Sequence, residues 1–171
     1  MKTYLILLRG VNVGGKNLLP MKELRSVLES GGFADVRTYI QSGNVVLQSA
    51  SQPEKTVQAL LESEFGLTPE IHVLTEKKFH LSVTNNPYQE HEGKFVHFYF
   101  CKNKPKANTA KLEQLAATTE NYQIIDNVFY LHAAHGIGRS KLAANVEACL
   151  GVSTTARNLN TINKLVAMLK N

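Results

Sequence analysis

Apolar residues recur along this chain with two spacings, and the switches between them set out the elements. Thr3 to Leu8 is a short continuous apolar run closed by Arg9-Gly10, which reads as a buried strand. A glycine-rich stretch follows, Gly10-Val11-Asn12-Val13-Gly14-Gly15-Lys16-Asn17. Pro20 is suited to a first helical position, and Met21, Leu24, Val27 and Leu28 mark one face of a helix that Gly31-Gly32 ends. Val36–Ile40 and Asn44–Gln48 have strand character and are joined by Gln41-Ser42-Gly43, a hairpin connection. Pro53 opens a second helix with Val57, Leu60, Leu61 and Phe65 inward, Gly66 stops it, and Glu70–Leu74 is a further strand. That order is β-α-β-β-α-β, the ferredoxin-like unit.

A short helix over Glu76–Val83 leads into Asn85-Asn86-Pro87 through Gly93, turn-rich and polar, which marks a module boundary. The order then restarts. Phe95–Cys101 is a strand, Lys102-Asn103-Lys104-Pro105-Lys106 a basic loop, and Ala107–Ala117 a helix. Tyr122–Ile125 and Val128–Leu131 form a hairpin turning at Asp126-Asn127. Helices over about 140–150 and 161–169 finish the chain, standing where the first half has its last strand. The expected fold is therefore α+β: two tandem ferredoxin-like (βαββαβ) modules, residues 1–84 and 85–171, the second ending in extra C-terminal helices.

Composition changes this picture little. Of 171 residues 43% are hydrophobic and 19% charged, ordinary values that place the chain among globular proteins. A net charge of +5 favours anionic partners, although no dense Lys/Arg block marks a nucleic-acid stripe. Cys101 and Cys149 lack CxxC spacing and fall on apolar faces, so they read as buried structural thiols. The apolar run at the start is too short for a signal peptide or a membrane span, which makes the cytoplasm the expected compartment and a membrane partner unexpected.

Two loops carry the most chemistry. Gly10-x-x-x-x-Gly15-Lys16 has the spacing of a phosphate loop and follows a strand. Asn17 stands where the magnesium-binding Ser or Thr belongs, and the helix begins about four residues late, so a nucleotide-hydrolysing loop is the least favoured reading. Two readings stay open: an anion site made of glycine amides, Lys16 and a helix start, or a plain glycine turn. His135-Gly136-Ile137-Gly138-Arg139-Ser140-Lys141 again joins a strand to a helix, at what the pattern treats as an equivalent point of the second module. Ser140 is placed to cap the helix there, with Arg139 and Lys141 supplying charge.

A third cluster, Thr154 to Lys164, is dense in side-chain donors and separates two helical runs. Thr and Asn before a helix also serve as caps, so ligand recognition and capping compete there. Arg157 is expected to point back toward the body of the protein. His132 and His135 have a zinc-like spacing with no further ligand nearby, no triad order is evident, and neither a metal nor a cofactor is expected.

Leu7–Asn17, Thr38–Val46, and Gly136–Leu142 with Thr155-Ala156-Arg157-Asn158 together resemble the bacterial family known as domain of unknown function 1697, in the right order across nearly the whole chain. The resemblance implies tandem ferredoxin-like modules in a cytosolic bacterial protein and assigns no activity. Members carry an aromatic between the two Asn residues of an Arg-Asn-x-Asn motif. This chain has Leu159, which removes a stacking partner for a base or a sugar.

The expected function is binding of a phosphorylated small molecule or a nucleic-acid segment by Arg9, Asn12, Lys16, Asn17, Gln41, Ser42, Asn44, Arg139, Lys141, Arg157 and Asn158. An enzyme using the same residues to orient a polar substrate is the first alternative, but these loops offer no titratable acid or base. An oligomerising structural protein, such as a homodimer, is the second.

Overall fold

The computed structural model describes residues 1–170, and the chain divides into two compact units. The first comprises Met1–Leu81 together with the segment from Met168 onward, and the second Ser82–Ala167. In the first unit the elements are β1 (Lys2–Leu8), α1 (Met21–Ser30), β2 (Ala34–Tyr39), β3 (Asn44–Ser49), α2 (Glu54–Phe65), β4 (Ile71–Thr75) and the start of α3 (Glu76–Thr84). The strands form one antiparallel sheet in the order β2-β3-β1-β4.

The two apolar spacings account for this packing. Tyr4, Ile6 and Leu8 of β1 share one sheet face with Val45 and Leu47 of β3 and with Ile71 of β4, and Met21, Leu24 and Leu28 of α1 pack onto them with Val57 and Leu61 of α2. Each such side chain, fully buried, contributes roughly 1.5–3 kcal/mol. Leu5, Leu7 and Val46 point to the other face and are buried too, which is why β1 is a continuous apolar run rather than an alternating one. Gly66 ends α2 at φ 64, the left-handed conformation glycine adopts without cost.

The second unit contains β5 (Val96–Cys101), α4 (Thr109–Leu115), β6 (Glu120–Ile125), β7 (Val128–Ala133), α5 (Lys141–Ala144), α6 (Val146–Leu150), β8 (Thr154–Asn158) and nearly all of α7 (Leu159–Leu169). Its sheet is antiparallel in the order β6-β7-β5-β8. Tyr99, Cys101, Phe129 and Leu131 pack against Leu112, Leu142, Val146 and Leu150.

Two expectations are corrected here. The strand that the apolar pattern omits from the second half is present: Thr154–Asn158 is not a linker but β8, paired with β5 from His97↔Asn158 to Cys101↔Thr154. Thr-Thr-Ala-Arg-Asn holds no large apolar residue, so periodicity could not find it. The helix expected over 140–150 is two short helices, because Asn145 leaves helical geometry (φ −125, ψ 17) and its side-chain amide donates to the Lys141 carbonyl at 2.7 Å.

Candidate functional site

The glycine-rich loop after β1 is a miniature hairpin, called the finger below. Lys16 N–H donates to the Val13 carbonyl at 2.9 Å, and Asn12 N–H to the Asn17 carbonyl at 3.0 Å. Gly14 and Gly15, at φ 57 and 75, occupy the two central positions of that turn. A two-residue hairpin turn of this hand requires positive φ at both, so turn chemistry accounts for the glycine pair that resembles a phosphate loop. α1 starts only at Met21, behind Pro20, six residues after Gly15.

Asn12 braces the finger. Its side-chain amide donates to the Leu19 carbonyl at 2.9 Å and the Gln41 carbonyl at 2.7 Å, and its side-chain oxygen accepts from Leu19 N–H at 2.7 Å. Asn17 donates to the Gly10 carbonyl at 3.1 Å. Val11 and Leu19 anchor the base of the finger in the core. In the β2–β3 turn Asn44 is fully buried and donates to the Tyr39 carbonyl and to Ser42 Oγ, both at 3.0 Å. Leu8 N–H donates to the Gly43 carbonyl at 2.9 Å. These bonds bring the finger and the β2–β3 turn together at one end of the first sheet. Asn12, Asn17 and Asn44 use their side-chain amides to hold these turns together. The exposed remainder is Arg9, Lys16, Gln41 and the Gly14 and Gly15 amides, with the Lys16 ammonium group and those two amides making no hydrogen bond among the described residues.

The loop carrying Arg139 and Lys141 is not equivalent to the finger. β1 and β5 hold the same place in their sheets, and the finger leaves the C-terminal end of β1. The 135–141 loop follows β7, whose His132 pairs with Val96, so it leaves at the N-terminal end of β5. The topological counterpart of the finger is the basic loop Lys102–Lys106. Within 135–141, Gly136 N–H and Ser140 N–H donate to the Ala133 and Ile137 carbonyls, and Ser140 Oγ accepts from Ala143 N–H at 3.0 Å, the expected cap. Arg139 and Lys141 remain exposed.

Asn158 and Arg157 belong to β8. Asn158 Oδ1 accepts from Thr161 N–H at 2.9 Å and caps α7. Arg157 is 8% exposed and donates to Thr155 Oγ1 at 2.8 Å and the Ala156 carbonyl at 2.9 Å. Burial lowers its pKa to about 10, which leaves it charged at neutral pH.

Two groupings escaped the sequence reading. On β4, His72 is buried, with Nε2 2.7 Å from Glu70 Oε1. Arg9 N–H donates to the Glu70 carbonyl at 3.0 Å, so this carboxylate–imidazole pair lies at the finger end of the same sheet. One polar residue inside the apolar run Ile71–Leu74 was the available signal. In the second unit the rings of His91 and His132 stack, with the buried Tyr88 beside both. His132 therefore does not act with His135, and no group of three His, Cys, Asp or Glu among the described residues is placed to hold a metal ion. No helix among them is long and apolar enough to cross a membrane.

The conserved bacterial protein SP0830 from Streptococcus pneumoniae has a similar structure, with a TM-score of 0.73 and 25% sequence identity over 100% of this chain and 99% of that one. No curated protein matches. The model of the family described as protein of unknown function (DUF1697) matches residues 1–130, and the chain belongs to that family.

Proposed function

We propose that this protein binds an anionic ligand, a phosphorylated small molecule or a nucleic-acid segment, at the finger end of the first sheet. The observation that carries the reading is how the finger divides its polar groups. Its asparagine side chains are spent on bracing, while the Lys16 ammonium group and the Gly14 and Gly15 N–H groups make no hydrogen bond among the described residues and lie in exposed positions. A surface already braced loses little entropy on binding, and its donors match phosphate oxygens. In the second unit, the basic Lys102–Lys106 loop holds the corresponding position after β5. Element order and strand order support two tandem ferredoxin-like modules as the scaffold, residues 1–84 and 85–171. Two unpaired buried cysteines suit a cytoplasmic location.

Titration calorimetry with pyrophosphate, a nucleoside monophosphate and a short single-stranded oligonucleotide tests the reading and separates the ligand classes. Lys16→Ala removes a charge-assisted contact of about 1.5–3 kcal/mol, so affinity for the bound probe is expected to fall at least tenfold. Affinity unchanged by Lys16→Ala and insensitive to salt overturns it.

The Glu70–His72 pair favours a second reading, an enzyme. A carboxylate fixing an imidazole is a general acid–base arrangement, and it supplies the titratable group the loops lack. Turnover of phosphate or carboxylate esters that His72→Gln abolishes, with melting temperature retained, would select this reading.

A further inference from the structure

The finger and the β2–β3 turn keep apolar side chains in water. Three of the six large hydrophobic side chains exposed among the described residues lie here: Val13 at 62%, Leu18 at 67% and Ile40 at 48%. Residues 13–18 are exposed without interruption between the buried Val11 and Leu19, so this stretch stands clear of the core beneath it. Ile40 carries a second cost, because it holds φ 47, in the left-handed region that β-branched residues avoid. Asparagine there would relieve both the strain and the exposure, so turn chemistry does not account for an isoleucine. Asn12 gathers the group. Its side-chain amide donates to the Leu19 carbonyl at 2.9 Å and the Gln41 carbonyl at 2.7 Å, which sets the backbones carrying Leu18 and Ile40 beside each other. Val13 pairs with Lys16 across the turn.

The order of groups along the finger points to the chemistry of the ligand. Gly14 and Gly15 with their N–H groups form the tip, Val13 and Lys16 stand level behind it, and Leu18 and Ile40 lie nearer the base. No aspartate or glutamate occurs between Arg9 and Pro20. We propose that the ligand is a nucleoside phosphate, a reading that rests on the anion site proposed above. Its phosphate lies at the tip, on Lys16 and the glycine N–H groups, and its base covers Leu18 and Ile40. At most about 7 Å of chain separates Lys16 from Leu18, a span that a nucleotide bridges and orthophosphate does not. A base offers an apolar ring face to aliphatic side chains. A sugar phosphate is hydroxylated all round, and covering Leu18 and Ile40 would strip water from hydroxyls without replacing it. A lipid surface fits less well, because insertion sends the tip deepest, and hydrocarbon cannot satisfy the two glycine N–H groups there.

Titration calorimetry with a nucleoside 5′-monophosphate and with ribose 5-phosphate, which differ only in the base, reads the result. The native chain is expected to bind the nucleotide at least about tenfold more tightly. Leu18→Ser with Ile40→Asn is expected to abolish that difference and to leave ribose 5-phosphate binding as it was. The double variant should melt no lower than the native chain, since both positions are exposed and asparagine relieves the strain, so a lost preference is not lost folding. Tighter binding of a 5′-phosphorylated oligonucleotide, with the same dependence on Leu18 and Ile40, would place the nucleotide at the end of a strand. Equal affinity for the nucleotide and ribose 5-phosphate overturns the proposal and leaves the anion reading standing, as does a preference that survives the double variant. Binding to phosphatidylglycerol vesicles with none to the nucleotide overturns it in favour of a lipid surface. Failure of pyrophosphate, ribose 5-phosphate and the nucleotide alike to bind removes both readings.

Discussion

The imidazole rings of His91 and His132 lie 3.8 Å apart and within 18° of parallel, which holds the turn-rich segment before β5 against β7. His132 Nδ1 is buried without a hydrogen-bond partner. Tyr88 faces the same ring, and across the strands His132 meets Val96 and Asn121, neither of them charged.

A pH dependence follows. Burial first, and then the neighbouring His91, lower the pKa of His132, and burial lowers that of His97. A histidine whose folded-state pKa lies below its unfolded value of about 6.5 binds fewer protons folded than unfolded. Its contribution is complete above that pH and is lost as the pH falls through and below it. The melting temperature should therefore drop from about pH 7.5 to pH 5.5. His91→Phe keeps a stacked ring but removes its charge, and should flatten the drop. An equally steep drop in that variant would refute the account.

Asn12 stabilises the first unit both through its hydrogen bonds and by tolerating φ 55. Asn12→Gly keeps the backbone free and loses the bonds, at an expected cost of about 2 kcal/mol. Asn12→Ala adds left-handed strain of about 1 kcal/mol more. Urea unfolding separates the two, and a glycine variant as stable as the native chain would show that the brace contributes nothing.

Gly43 and Gly14 both have positive φ but differ in surroundings. A Cβ on Gly43 would lie 2.8 Å from Val11 Cγ2 and 2.9 Å from Leu8 Cβ, whereas one on Gly14 meets nothing within 4 Å. Gly14→Ala should therefore cost about 1 kcal/mol of strain, and Gly43→Ala about 2–4 kcal/mol from strain and overpacking together. Equal costs in chemical denaturation would mean that the turn shifts to accommodate the methyl.

The legibility of the chain divides along these lines. Helices with an apolar stripe and strands such as β1, β5 and β7 could be read because burial acts on periodicity, and Gly66 and Ser140 because caps have a local grammar. β8 could not, since its residues are held by pairing with β5 and by capping α7, which are non-local. Around the finger, the sequence singled out two loops that do meet, but it could not show that Asn12, Asn17, Asn44 and Asn158 hydrogen-bond within the fold. An asparagine that braces a turn and one that meets a ligand look alike until its partners are known. Glu70 and His72 were overlooked for the converse reason: a pair two residues apart at the start of a strand carries no spacing signature.

Both thiols should resist modification in the native protein. Burial, with Glu147 adding to it, raises Cys101 to about 11, and burial raises Cys149. Thiol and not thiolate is then the form present at neutral pH, and neither sulfur is accessible. A disulfide reagent should label two thiols per chain in denaturant and almost none without it; rapid native labelling of either would contradict the packing around Tyr99 and Leu150.

Arg157 separates structure from recognition most cleanly. Its guanidinium is desolvated yet charged, and it donates to Thr155 Oγ1 and the Ala156 carbonyl. Truncation to alanine leaves a cavity and strips those acceptors of a donor, so Arg157→Ala should cost about 3 kcal/mol. Arg157→Met fills most of the volume and removes the cost of burying a charge, so it should cost about 1 kcal/mol or less. If packing is the whole role, the methionine variant melts near the native temperature and binds pyrophosphate or oligonucleotide as the native chain does. If Arg157 also meets the ligand, that variant keeps its melting temperature and loses binding. A methionine variant as unstable as the alanine variant would show instead that the charge itself, through its partners on β8, holds the second sheet together.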